Sequence, residues 1–118
     1  MKKDSVLKNC SSEILAIQDA LEILKGKWKI PIIGALIYLE EARFNEMERM
    51  IGKITPKMLS KELKELEINQ IIKRTVLDTR PVTVKYELTA HGQSCKEVII
   101  ALKEWGLQHR NIIMGKSD

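Results

Sequence analysis

The chain has 118 residues, 44% hydrophobic and 31% charged. That balance sets aside intrinsic disorder and membrane-span composition and fits one domain with a core of its own. Lys and Arg number 20 against 16 Asp and Glu, a formal net charge of +4, which identifies a polyanionic partner only if the surplus is concentrated. One Phe, two Trp and two Tyr are too few for a single-strand binder that stacks bases on exposed rings. The two cysteines, Cys10 and Cys95, form no C-x-x-C pair, so neither a disulfide framework nor a zinc finger is expected. The segment Met1-Lys2-Lys3-Asp4-Ser5 loses apolar character too early for a signal-peptide core, and the apolar run over residues 30–39 is too short to cross a bilayer. The expected location is the cytoplasm, with reduced thiols and no membrane partner.

Residues 1–118 carry no internal repeat, and isolated Gly and Pro mark no linker. Ile14, Ile17, Leu21 and Leu24 recur at helical spacing, predicting a first amphipathic helix over about residues 12–24. Ser11 or Ser12 is its cap and Gly26 its stop. Trp28, Ile32, Ala35, Leu36 and Leu39 predict a second helix, with Ile33 and Ile37 adding a further apolar face. Pro31 is compatible with a start near Trp28, because the first helical N–H groups have no internal partner; a start further upstream would be kinked. Asn45 and Glu48 have capping-box spacing ahead of a short helix bearing Met47, Met50 and Ile51, which Gly52 ends. Thr55 is a natural N-cap and Pro56 a natural first residue for the next helix, which runs to Ile68 or Asn69 on Leu59, Leu63 and Leu66. Beyond it the period changes to two: Ile72 to Val76, then Val82, Val84, Tyr86 and Leu88 alternating with polar residues, around a turn-rich tip at residues 77–81. Thr89 then caps a long final helix, about residues 90–113, striped by Cys95, Val98, Ile99, Leu102, Trp105, Gly106, His109 and Ile112 or Ile113.

A short helix, a glycine turn and a second helix form a helix-turn-helix over residues 45–69, and the hairpin at 71–88 is its wing. The fold class expected is mainly α with a small β-hairpin (α+β). On the second of those helices Lys57, Ser60, Lys61 and Lys64 share one acid-free stripe opposite the leucines, with Glu62, Glu65 and Glu67 on its flanks. A Lys/Glu-rich helix face is by itself more often plain solvated surface. The helix-turn-helix spacing before it and the wing cations after it, Lys73, Arg74, Arg80 and Lys85, turn the balance towards a reader of duplex DNA. Lys53 and Thr55 fall near phosphates at the helix start.

These residues resemble the HxlR-type winged helix-turn-helix regulators of bacteria over roughly residues 18–110. The resemblance rests on Gly26-Lys27-Trp28, Arg43-Phe44-Asn45-Glu46-Met47, Ile54-Thr55-Pro56-Lys57-Met58-Leu59, Leu63-Lys64-Glu65-Leu66-Glu67, Arg74-Thr75-Val76 and Tyr86-Glu87-Leu88-Thr89-Ala90-His91-Gly92 in that order. It implies a homodimer on inverted-repeat operator DNA, joined mostly through the terminal helices; Ile14, Ile17, Leu21, Val98, Ile99, Leu102, Trp105 and His109 are the interface candidates. It also implies a small-molecule or redox effector, for which Cys10 is the candidate. The chain departs from the family where a Cys-Pro usually precedes the first helix (that register holds Leu15), where the wing usually has Arg (here Thr83), and at Pro31.

His91 and Cys95, four apart, amount to half a metal site, and the other candidate ligands are far off in sequence. No phosphate loop, nucleophile elbow or zincin motif is present. The expectation is no enzyme, metal or cofactor. The rival to a DNA-binding regulator is a winged-helix adaptor for protein partners that makes no DNA contact.

Overall fold

The computed structural model describes residues 2–115, with side chains from residue 11 onward. Helix α1 spans Lys2–Leu24, α2 Lys29–Leu39, α3 Phe44–Ile51 and α4 Pro56–Ile68. Strands β1 (Glu41–Arg43), β2 (Ile72–Leu77) and β3 (Thr83–Leu88) form one antiparallel sheet of order β1-β3-β2. Helices α5 (Ala90–Gln93) and α6 (Cys95–Ile113) complete the chain. Among the described residues no helix is long and apolar enough to cross a membrane.

Most expected elements form where their local chemistry directs. Trp28 precedes the first residue of α2 and its carbonyl accepts from the Ile32 N–H, so Pro31 sits in the opening turn without a kink. Thr55 Oγ1 accepts from the Met58 N–H at 3.1 Å and Pro56 opens α4. Four features differ from the sequence reading. Helix α1 begins near residue 2 rather than 12. The cap of α3 lies two residues earlier than Asn45–Glu48: Glu46 Oε1 accepts from the Arg43 N–H at 2.8 Å. The final helix divides at Ser94 into α5 and α6. The wing has a third strand, β1, which pairs Ala42 with Tyr86 across the free edge of β3.

The core lies between α2, α3, α4 and the sheet. Ile32, Ile33, Leu36, Met47, Leu59, Leu63, Leu66, Ile71 and Ile72 are fully buried. Each such side chain contributes about 1.5–3 kcal/mol, against at most about 0.7 kcal/mol for a helix propensity difference between ordinary residues, so packing decides which face of α4 turns inward. Met50, placed on the apolar side of α3 by spacing, is exposed. Helix α6 buries no residue fully, and only Ile23 and Leu24 of α1 pack against this core from that helix. The terminal helices therefore project: the radius of gyration is 17.9 Å against about 13–14 Å for a compact domain of this length.

The link between wing and final helices is a backbone knot. The Thr89 N–H donates to the Ile71 carbonyl at 3.0 Å, and the Thr89 hydroxyl donates to the Gln70 carbonyl at 2.6 Å and accepts from the Gly92 N–H at 2.9 Å. Gly92 lies so close to this carbonyl that a Cβ would stand 2.0 Å from Ile71 O. Because the obstacle is backbone, it has no rotamer through which to yield. Gly92→Ala is expected to cost about 1–3 kcal/mol, whereas Gly34→Ala, with no atom within 4 Å of the new Cβ, should gain about 0.5–1 kcal/mol. Urea unfolding midpoints of the two variants check this, and equal effects would contradict it.

Candidate nucleic-acid interface

Helices α3 and α4 are joined by Gly52-Lys53-Ile54-Thr55. Gly52 has φ +67° and Lys53 φ +55°, a left-handed pair that reverses the chain tightly, with glycine at the first position where a side chain is disfavoured. Ile54 is buried and pins the turn to the core. With Leu59, Leu63 and Leu66 inward, Lys57, Ser60, Lys61 and Lys64 are all exposed on the outer face, and Lys53 and Thr55 are exposed at its start. The stripe is therefore a continuous outward surface of α4.

Strand alternation divides the wing cations between the two faces of the sheet. Arg74 pairs in register with Tyr86, on the face that also carries buried Ile72 and Leu88. It joins Ser60, Leu63, Lys64, Glu67 and Tyr86 in lining one groove between α4 and the wing. Lys73 and Lys85 lie on the opposite face: Lys73 stands in register with Glu87, and Lys85 Nζ is 3.1 Å from Glu41 Oε2 and 3.8 Å from Glu87 Oε2. The hydrogen bond that Lys85 donates to Glu41 holds its ammonium above the ordinary lysine pKa. Its charge is already matched, and it serves chiefly as a strut between β1 and β3. Arg80 is exposed at the tip, where Thr79 Oγ1 donates to the Pro81 carbonyl at 2.8 Å. Three residues that spacing did not single out also face these grooves: Tyr86, and Arg43 and Arg49, which line a cleft with Glu41, Asn45 and Lys85. The sequence signal for Arg43 and Tyr86 was their place in the family motifs; Arg49 had none.

The flanking acids of α4 differ from the sequence reading in one respect. Glu62 is buried, and its Oε1 lies 2.5 Å from Nζ of Lys29, itself only 5% exposed. The same ammonium lies 2.6 Å from Glu65 Oε1. Burial alone would push the Lys29 pKa down; the two carboxylates outweigh it and hold it above 10.5. The hydrogen bond from Lys29, chiefly, holds the Glu65 carboxyl below 4.5. Among the described residues this is the one ion pair with both side chains nearly buried. It ties the first turn of α2 to the middle of α4.

On the terminal helices Ile14, Ile17, Leu21, Val98, Leu102 and Trp105 are exposed, Trp105 to 65%. Ile17, Leu21, Leu24, Val98 and Leu102 line one apolar cleft between α1 and α6. His109 stacks on Trp105 with ring centroids 5.1 Å apart. Ile99 differs from the other interface candidates in packing against its own core. Cys95 is half-buried, and burial pushes its thiol pKa up. Cys10 lies outside the residues whose side chains are described.

A three-helix core with a helix-turn-helix, an exposed basic second helix and an antiparallel wing defines a winged helix-turn-helix transcriptional regulator. The model of the HxlR-like helix-turn-helix family matches residues 23–114, and the chain belongs to that family. It is 36% identical over 101 residues to the HTH-type transcriptional regulator YtcD of Bacillus subtilis, covering 86% of this chain and 79% of that protein. The crystal structure of YtcD superposes with a TM-score of 0.75 at 37% identity, covering 80% of this chain and 96% of that one. The reduced form of the B. subtilis regulator YodB superposes at 0.73 with 36% identity, over 79% and 90% of the two chains. The oxidised form of the redox regulator HypR superposes at 0.72 with 34% identity, over 79% and 95%. These relatives are transcriptional regulators, not enzymes.

Breaking the buried tie from one side leaves Glu62 uncompensated. Lys29→Met should cost about 3 kcal/mol, and Lys29→Met with Glu62→Leu should recover most of that, because an apolar pair replaces an ionic one. Denaturant midpoints of both variants test it. The pH dependence follows from the two shifts. The lowered Glu65 value gives stability that is fully present above pH 4.5 and lost as pH falls through the native value. The raised Lys29 value gives stability present below pH 10.5 and lost as pH rises through its native value. Glu65→Gln should therefore flatten the acid limb below pH 4.5; an unchanged limb would contradict the assignment.

Proposed function

We propose that this regulator binds duplex DNA as a homodimer, with α4 of each protomer in a major groove at one half of an inverted repeat. The observation that carries the reading is the exposed, acid-free face of Lys57, Ser60, Lys61 and Lys64 beside Arg74 of the wing. Lysine reaches guanine edges or phosphates, serine donates to either, and a like-charged carboxylate at the centre of the stripe would be repelled by the polyanion. Lys53 and Thr55 contact phosphates at the start of α4, and Arg80 carries the wing tip along the backbone or into the minor groove. Lys73, on the other sheet face, and Lys85, matched by Glu41, are minor contributors.

The second protomer is the proposed cover for the exposed apolar faces of α1 and α6. An isologous two-fold contact through Ile14, Ile17, Leu21, Val98, Leu102 and Trp105 removes from water a surface that one protomer leaves open. Two-fold symmetry sets half-sites about one DNA turn apart, or a multiple of it. An effector that modulates binding fits the likeness to HypR, named a redox regulator. Cys95 is a poor sensor by geometry, since a half-buried thiol with a raised pKa holds little thiolate; Cys10 is the candidate.

Fluorescence anisotropy on duplex DNA from upstream of its own gene should give a log–log salt slope that falls by about 1.8 per dimer in Lys57→Ala, about 0.9 from each protomer, and by as much again in Lys64→Ala. Salt-independent or absent binding to duplex DNA would favour a protein-binding adaptor instead. Sedimentation equilibrium should give a dimer at micromolar concentration, and Leu21→Glu with Leu102→Glu should give a monomer of unchanged helix content. A wild-type monomer would overturn the dimer.

A further inference from the structure

Lys61 and Glu65 stand four residues apart on α4, the spacing at which opposite charges on one helix face pair. They do not pair here. Glu65 Oε1 instead takes the ammonium of Lys29 at 2.6 Å. The same ammonium holds Glu62 at 2.5 Å. Among the described residues Lys61 has no ion-pair or side-chain hydrogen-bond partner. It lines a shallow cavity with Lys25, Lys29, Glu62 and Glu65, close enough to act on the Glu65 carboxyl. The other nearby cation, Lys25, is 2.7 Å from Glu22 on its own helix. If Lys29 let go, Lys61 would be the cation best placed to take Glu65. Lys29 is itself buried and points into the α2–α4 contact, so it reaches no external anion.

We infer that Lys29 is a positioning residue for DNA binding: it buries Glu62, matches the carboxylate of Glu65, and so leaves Lys61 free to neutralise a phosphate. The inference rests on the proposed docking of α4. It gives the tie a consequence separable from stability, because a merely structural tie would change how much protein is folded and not the number of phosphates that folded protein neutralises.

The test is Lys29→Met with Glu62→Leu, which removes one positive and one negative charge and leaves the net charge at +4. Glu65 then has Lys61 as its near cation. The expected result, on protein shown folded by circular dichroism, is a log–log salt slope shallower by about 1.8 for the dimer, one phosphate fewer for each protomer. Adding Glu65→Gln should restore the wild-type slope. Adding Lys61→Ala to the double variant should change the slope no further. A folded double variant with the wild-type slope, or one that Glu65→Gln does not restore, overturns the inference.

Two single variants keep the question open to refutation if the double variant does not fold. Lys61→Ala must flatten the slope by about 1.8 for the dimer, and Glu65→Gln must leave it unchanged. A slope unmoved by Lys61→Ala, or steepened by about 1.8 in Glu65→Gln, overturns the inference. Loss of slope at Lys57 and Lys64 but not at Lys61 overturns this inference alone; a wild-type protein without salt-dependent duplex binding overturns the docking of α4 as well.

Discussion

Helix α4 must satisfy two demands at once. Its inner face has to sit in an apolar core, and its outer face has to present cations without its own carboxylates among them. Leu59, Leu63 and Leu66 meet the first demand by burial. The second depends on Lys29, an ammonium delivered from α2 into the contact between the two helices. A buried charge is costly in isolation, so the arrangement is stable only because both carboxylates converge on the ammonium. Burial of the leucines sets the rotation of α4 about its axis, and the ion pair fits that rotation. The exposure of Lys57 and Lys64 on the outer face follows from the same rotation.

The wing is held by a different device. Its sheet is short, and a two-stranded hairpin alone is marginal in water. Strand β1 adds a third strand, and the Lys85–Glu41 contact closes the two across one face. At the other end, Thr89 holds the carbonyls of Gln70 and Ile71 and accepts from the Gly92 N–H, with Gly92 close against the Ile71 carbonyl. The wing is thus tied at its base to the end of α4 and the start of α5, and the groove between α4 and the wing has two fixed walls. Among the described residues, most apolar side chains of α1 and α6 beyond Ile23, Leu24 and Ile99 remain exposed.

A net charge of +4 says little when counted over the whole chain. Distributed in space it says more. Of the acids on α4, Glu62 is buried on Lys29 and Glu65 is matched by it, and Lys85 on the wing is drawn to Glu41 and Glu87. Internal pairing sharpens the positive face of α4 and thins the contribution of the wing. What faces outward is the lysine stripe with Arg74 and Arg80.

The local sequence determined the helices, their caps, the hairpin and the inward face of α4, because each depends on residues within four positions of one another: Thr55 and Met58, Leu59 and Leu63, Thr89 and Gly92. It also carried the family, through motifs spread along the chain in fixed order. Strand β1 escaped it, since three residues are too few to show a period and the strand exists only where β3 offers an edge. The burial of Glu62 escaped it too. On the helix wheel Glu62 is a flanking acid like Glu67, and only an ammonium 33 residues away makes its place in the core tolerable. Tertiary structure alone decided which charges are free and which are matched, and which wing cations share a face with α4. Pairing between charges is set by distance in space, and for Lys29 and Lys85 that distance bears no relation to separation along the chain.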